Sequence, residues 1–165
     1  MPRKERIEYP GAIYHVISRG NYRKDLFTAE TTGAAFERTI SEAVERCGWK
    51  LHAYVIMSNH YHFAVETPEP NLVDGMRWLQ STFATRFNRF RNERGHVFQG
   101  RYKAILINED RPLIGLINYI HLNPVRAKLC TVDELKDYAL SSYPKYWKRK
   151  VPEGLDRRTL LSLCN

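Results

Sequence analysis

A chain of 165 residues, 43% hydrophobic and 27% charged, is long enough to bury a hydrophobic core and has the size of one domain. Its apolar runs are too short to span a bilayer, and the charged N-terminal stretch MPRKERIEYPG lacks a following apolar segment, so we expect neither a membrane span nor a secretory signal. The three cysteines, Cys47, Cys130 and Cys164, are widely spaced without a CxxC pair. This pattern favours reduced thiols in the cytoplasm over a disulfide framework.

The net charge of +8, from 26 Lys and Arg against 18 Asp and Glu, favours a polyanionic partner. The alternative is an ordinary basic protein. Four segments interleave cations with aromatic or amide side chains, as ligands of phosphates and unpaired bases do: RGNYRK (19–24), RFNRFRNER (86–94), QGRYK (99–103) and YPKYWKRK (143–150). None of them is a basic helix with a large apolar face, so nucleic acid is favoured over membrane.

The first half of the chain predicts three strands and one helix. In order, these are strand Ala12–Ser18, helix Thr31–Cys47, strand Lys50–Met57 and strand His60–Glu66. The helix has apolar residues at spacings of three and four, and Gly48 follows where a C-cap glycine belongs. The strands are rich in β-branched and aromatic residues.

The second half predicts a long helix, a strand and further helices. The long helix begins after Asn71, a candidate N-cap, and ends by Gly95. The other predicted elements are strand Tyr102–Asn108, helix Pro112–Leu122, a short helix at Val132–Tyr138 and a last helix near Arg157–Leu163.

The order strand, helix, strand, strand, helix, strand is that of a ferredoxin-like α+β sandwich, in which helices cover a central antiparallel sheet. We expect a single domain over residues 1–165, with a core at about 7–130 and a helical, basic C-terminal extension at about 131–165. The third strand would be central in the sheet.

His60 and His62 lie two residues apart on that third strand, so their side chains share one face, about 7 Å apart along the strand. Two such imidazoles can converge on one metal ion. They can equally be a pair of half-buried, hydrogen-bonded histidines, and the spacing alone does not decide between these interpretations.

Tyr119 and Asn123 are four residues apart in INYIHLNPVRA, so a helix would place them on one face. Pro124 predicts that the helix ends at Asn123, which could then be a simple cap, with Tyr119 a core aromatic. Alternatively, the amide oxygen of Asn123 could complete a metal site with the two histidines. A structural zinc site would need a fourth ligand, and the nearby His121 points to the far side of this helix.

The motifs MSNHYH (57–62) and YIHLNPVRA (119–127) resemble those of HUH nucleases with a single catalytic tyrosine, and more narrowly those of REP-associated tyrosine transposases. YPGAIYHVISRGNYRKDLF, GHVFQGRYKAIL and LSSYPKYW are similar to the same group and occur in the family's order. The resemblance implies a ferredoxin-like metal-dependent enzyme that cuts and rejoins single-stranded DNA near hairpins, through a 5′-phosphotyrosine.

Under this resemblance, Tyr119 would be the nucleophile, and His60, His62 and Asn123 would hold Mg²⁺ or Mn²⁺. Tyr61 departs modestly from the usual middle residue of the motif, which is aliphatic or another bulky apolar group, and it should point away from the histidines.

DNA contacts are expected in two loops, although ordinary loop solvation would explain the same residues. Arg19, Asn21 and Arg23 could contact unpaired bases, and Arg101 and Tyr102 could hold a hairpin stem. The expected partner is hairpin-bearing single-stranded DNA of the repetitive palindromic type, bound by a monomer or homodimer in the bacterial cytoplasm. The alternatives are a non-catalytic nucleic-acid-binding protein with RRM-like topology and a domesticated transposase that has stopped cutting.

Overall fold

The computed structural model describes residues 5–108, 113–151 and 153–156. Four strands are present in these ranges: β1 (Ala12–Arg19), β2 (Lys50–Ile56), β3 (His60–Thr67) and β4 (Lys103–Ile107). The α-helices are α1 (Glu30–Cys47), α2 (Leu72–Arg91), α3 (Leu113–His121), α4 (Asn123–Arg126) and α5 (Tyr143–Trp147). Single turns of 3-10 helix occupy Asn21–Arg23 and Leu135–Asp137.

The strands form one antiparallel sheet in the order β2-β3-β1-β4. The β-strand and helix order of the core is therefore β1-α1-β2-β3-α2-β4, with β1 and β3 in the centre. This confirms the predicted ferredoxin-like α+β fold and the central position of the strand that carries His60 and His62. No helix in the described part of the chain is long and apolar enough to cross a membrane.

The two faces of the sheet bury different helices. On one face, an aromatic core joins the strands to α1 and α2, as in the contacts of Phe36 with Tyr61 and Phe83. On the other face, Val55 and Ala64 pack with Ile117 and Ile120 of α3. Successive residues of a strand point to opposite faces. The alternation along β3 thus puts Tyr61 in the aromatic core and the two histidines beneath α3.

The caps of α1 and α2 differ in how well they were predicted. Gly48 adopts the left-handed conformation at the end of α1 (φ 66°), as predicted. Asn71 precedes α2, but its side chain does not cap the helix. Instead its Oδ1 accepts a hydrogen bond from Trp49 Nε1 at 2.7 Å, and its Nδ2 donates to the carbonyl of Cys47 at 2.9 Å. Asn71 therefore ties α2 to the end of α1 rather than satisfying its own helix.

The C-terminal part differs from the prediction. The helix expected at Val132–Tyr138 is only a single 3-10 turn, whereas α5 forms in the aromatic and basic segment, where no helix was expected. A Pro at the start of α5 is compatible with the first helical turn, since its missing N–H would have no partner there. The helix predicted near 157–163, Pro112 and Cys164 lie outside the described residues.

Candidate active site

Three imidazoles lie side by side on the face of the sheet that α3 covers. His60 and His62 come from β3, and His15 comes from the neighbouring β1. Since Ile17 lies opposite His62 in the antiparallel ladder, His15 is diagonal to His62 on the same face. The ring centroids of His15 and His62 are 5.2 Å apart, and so are those of His60 and His62.

Tyr119 of α3 lies over this cluster. Its ring centroid is 5.9 Å from that of His62 and 5.7 Å from that of His15, both in edge-to-face contact. Tyr119 is also 37% exposed, so it is not enclosed in the core. The guanidinium of Arg126 also lies 5.1 Å from the ring centroid. The fold therefore places the predicted nucleophile in contact with two imidazoles and near a cation.

Each histidine of β3 has its Nδ1 atom bound to a neighbour. His60 Nδ1 lies 2.7 Å from Asn59 Oδ1, and because an amide oxygen only accepts, the ring must donate. This proton leaves the lone pair of His60 on Nε2. His62 Nδ1 lies 3.0 Å from Nε2 of His15, so the same arrangement is open to His62 when its Nδ1 donates. Both rings can then present an Nε2 lone pair, the form in which imidazole binds a metal.

The surroundings of the two rings keep them neutral. Burial lowers the pKa of His62 to about 3, with further contributions from His15, His60 and Arg19. Burial, followed by the charge of Arg19, also lowers the pKa of His60. At neutral pH both imidazoles are therefore uncharged, as a metal ligand must be.

Asn123 lies at the junction of α3 and α4. Its Nδ2 donates to the carbonyl of Tyr119 at 2.9 Å, so the amide caps the last turn of α3. The capping interpretation is thus observed, while the bond leaves Oδ1 available to another partner. Within residues 5–108, 113–151 and 153–156, no group of three or more His, Cys, Asp or Glu side chains is placed to hold a metal ion. A metal at His60 and His62 would take its other ligands from oxygen donors such as the Asn123 amide, and that role of Asn123 stays a prediction.

His121 is on the opposite side of α3 from Tyr119. It is buried, its Nε2 lies 2.7 Å from the hydroxyl of Ser142, and its ring contacts Tyr143 and Tyr146 of the α5 region. Burial lowers its pKa to about 4. These contacts give His121 a structural role in holding α3 to α5.

The predicted DNA-contacting residues divide into two places. Arg19 pairs with His60 across the β1–β3 ladder and is exposed, and Asn21 and Arg23 form the turn that follows it. Arg101 is exposed, but Tyr102 beside it is buried under the guanidinium of Arg6, at 3.7 Å from the ring centroid. Burial raises the pKa of Tyr102 to about 12. Arg19 and Arg23 are linked to His60, Arg19 directly across the ladder and Arg23 through Asn59, and the roles of all five in binding DNA stay predictions.

His15 was not predicted as part of the site. The alternation in AIYHVISR puts His15 on the same face of β1 as Arg19, and this is the only local signal. Its contact with His62 depends on the pairing of β1 with β3, which are separated by more than 40 residues in the sequence.

An antiparallel sheet that presents imidazoles to a helix-borne tyrosine next to exposed arginines suits an enzyme acting on phosphodiesters. The model of the family described as "Transposase IS200 like" matches residues 8–123 of this chain, a range that contains β1 through α3. The chain therefore belongs to this family of transposases, which confirms the family predicted from the sequence. Transposases cut and rejoin DNA, so the chain is a DNA-processing enzyme.

Individual relatives agree with this assignment. A protein of Haemophilus influenzae (strain ATCC 51907 / DSM 11121 / KW20 / Rd) assigned as a REP-associated tyrosine transposase is 24% identical in an alignment of length 127 that covers 70% of this chain and 71% of the relative. A solved structure of a REP-associated tyrosine transposase bound to a REP hairpin superposes with a TM-score of 0.70 at 18% identity, covering 93% of this chain and 90% of the other. A crystal structure of a protein from Deinococcus radiodurans R1, assigned as a transposase, has a TM-score of 0.51 at 18% identity, covering 78% and 92%. These structural similarities show the fold.

Proposed function

We propose that this transposase is a metal-dependent, single-tyrosine endonuclease and strand transferase that acts on hairpin-bearing single-stranded DNA in the bacterial cytoplasm. The observation that carries the proposal is the contact of Tyr119 with the imidazole cluster, with ring centroids 5.7 and 5.9 Å apart. A hairpin substrate is supported by the solved relative, which is bound to a REP hairpin. The net charge of +8 suits a polyanionic substrate.

In the proposed reaction, the hydroxyl of Tyr119 loses its proton and its oxygen attacks the scissile phosphorus. The bond from phosphorus to the 3′-oxygen breaks, and this oxygen takes up a proton and leaves as a 3′-hydroxyl. The 5′-phosphate remains on Tyr119, so the energy of the phosphodiester is conserved. Attack by the 3′-hydroxyl of a second strand reverses the steps and joins the new ends.

His60, His62 and Asn123 are the residues that would hold Mg²⁺ or Mn²⁺, and imidazole ligands favour Mn²⁺. When bound, the ion supplies positive charge for the scissile phosphate oxygens. The two imidazoles suit such an ion because both are neutral and both can present an Nε2 lone pair. Asn59 and His15 keep the rings of His60 and His62 in this orientation through their contacts with the Nδ1 atoms.

The cations around the cluster would neutralise the backbone of the bound strand. Arg19 and Arg23 are exposed at the edge near His60, and Arg126 lies beside the tyrosine ring. A phosphodiester bound at the tyrosine would therefore meet the positive charge of Arg126, and the strand beside His60 would meet that of Arg19.

The test is covalent trapping. Wild-type protein, Mn²⁺ and a hairpin oligonucleotide with a single-stranded arm should give a protein–DNA adduct that survives SDS gel electrophoresis. Tyr119→Phe should abolish the adduct and retain DNA binding, while Tyr9→Phe, at another exposed tyrosine, should leave adduct formation unchanged. His60→Ala should lose both metal binding and adduct. An adduct formed by Tyr119→Phe would reject the proposal.

A further inference from the structure

The turn after β1 holds an aromatic side chain in an unusual conformation. Tyr22 has φ 52° and ψ 26°, and Arg23 follows with φ 57°, so two consecutive non-glycine residues lie in the left-handed region. This region is unfavourable for residues with a side chain. Tyr22 is also 93% exposed, the highest exposure among the large hydrophobic side chains of the described residues. The fold therefore presents a tyrosine ring to solvent at an energetic cost.

The backbone of this turn is firmly held. Asn21 N donates to the carbonyl of Val97 at 2.8 Å, and Arg23 N donates to the carbonyl of Gly20 at 3.0 Å. A Cβ at Gly20 would come within 2.5 Å of the carbonyl oxygen of Lys24, so the turn closes too tightly for any other residue there. Lys24 in turn pairs with Glu93 at 2.6 Å. Such a turn presents Tyr22 in one defined position instead of letting it collapse onto the surface.

The turn is connected to the imidazole cluster through one side chain. Asn59 accepts from His60 Nδ1 at 2.7 Å through its Oδ1, and its Nδ2 donates to the carbonyl of Arg23 at 3.3 Å. The residue next to Tyr22 is therefore only one side chain away from a predicted metal ligand. Arg19 and Arg23, on either side of Tyr22, are exposed and have no carboxylate partner among the described residues.

We propose that Tyr22 is a stacking platform for an unpaired base of the bound DNA strand, close to the phosphate that Tyr119 attacks. The proposal rests on the proposed function, because that function supplies the single-stranded substrate. An exposed ring with free cations on both sides fits this partner: the ring stacks on a base of any sequence, and the guanidinium groups neutralise the adjoining phosphates. Stacking would also fix the direction in which the strand enters the site.

The experiment measures binding of fluorescein-labelled oligothymidylate, and of a blunt hairpin duplex, by fluorescence anisotropy. Tyr22→Ala should weaken oligothymidylate binding by about 5- to 150-fold, the usual loss for one base–aromatic stack, and should change duplex binding far less. Tyr22→Trp should bind at least as tightly as wild type. The matched control is Tyr9→Ala, which removes a 44% exposed ring outside the four predicted DNA-binding segments and should leave both affinities unchanged.

A fourth variant separates stacking from folding. Glycine adopts positive φ readily, so Tyr22→Gly should keep the turn and the melting temperature while losing oligothymidylate affinity as the alanine variant does. Wild-type affinity in Tyr22→Ala, an equal loss in Tyr9→Ala, or no binding of oligothymidylate by wild type would each overturn the platform. Covalent adduct formation at saturating hairpin DNA reports on Tyr119 independently. An adduct that persists in Tyr22→Ala with unchanged affinity would thus reject the platform alone.

Discussion

Replacement of His15 by alanine should weaken metal binding, although His15 is not itself a proposed ligand. His15 is buried, and its Nε2 lies 3.0 Å from Nδ1 of His62. Without this partner, the ring of His62 can rotate and its proton can move to the other nitrogen. Partners that orient ligating imidazoles usually contribute 10- to 100-fold to metal affinity, which corresponds to about 1.4 to 2.7 kcal/mol. We expect a loss of this size for Mn²⁺.

Isothermal titration calorimetry with Mn²⁺ would measure this loss in the absence of DNA. His15→Gln, whose amide oxygen can accept the same proton, should recover part of the affinity. The control is His96→Ala, which removes an exposed histidine from the loop before β4 and should bind Mn²⁺ as wild type does. Thermal unfolding of each variant shows whether the fold is intact. Wild-type Mn²⁺ affinity in a folded His15→Ala protein would refute the argument that His15 orients His62.

Two further predictions concern stability. Gly75→Ala would place a Cβ 2.1 Å from a ring carbon of Trp49, and it should lower the free energy of unfolding in urea by about 1 to 3 kcal/mol. In Gly115→Ala the new Cβ meets nothing within 4 Å, so the free energy of unfolding should stay the same or rise by about 0.5 to 1 kcal/mol. Equal effects of the two changes would contradict the packing around Trp49. Burial lowers the pKa of His52, against the opposing effect of Glu66. Below pH 6.5 the unfolded chain therefore binds a proton at His52 more readily than the folded chain does. The free energy of unfolding falls as the pH is lowered in this range. His52→Gln should flatten the dependence of melting temperature on pH in that range, and an unchanged slope would show that His52 does not carry it.

The fold was predictable because its signals are local. The apolar spacing of the helix predicted at Thr31–Cys47 and the alternation around His60 and His62 each follow from the repeat of one element. The order of these elements then restricts the topology. The C-terminal extension was harder to predict, since α5 is only five residues long and has no periodic pattern. Its helix is stabilised by contacts with His121 and Tyr54, which are distant in the sequence.

The candidate site was predictable only in part, for a similar reason. His60 and His62 are visible as a pair because two residues separate them on one strand. His15 becomes part of the cluster through the register of β1 against β3, and no local pattern encodes that register. Asn59 lies between β2 and β3, and its side chain joins the ring of His60 to the carbonyl of Arg23. Contacts between separate elements therefore supply the groups that orient the site.

The alternation of β3 also explains why this chain can tolerate a tyrosine in the middle of its histidine motif. Tyr61 lies between the two histidines in sequence but faces the aromatic core, where its ring stacks on Phe63 at 5.4 Å and its hydroxyl accepts a hydrogen bond from Gln80 at 3.0 Å. It is fully buried, and burial raises its pKa, so it cannot reach a phosphate. The sheet itself therefore separates two phenols with opposite roles: Tyr61 stabilises the core on one face, while Tyr119 remains accessible on the other.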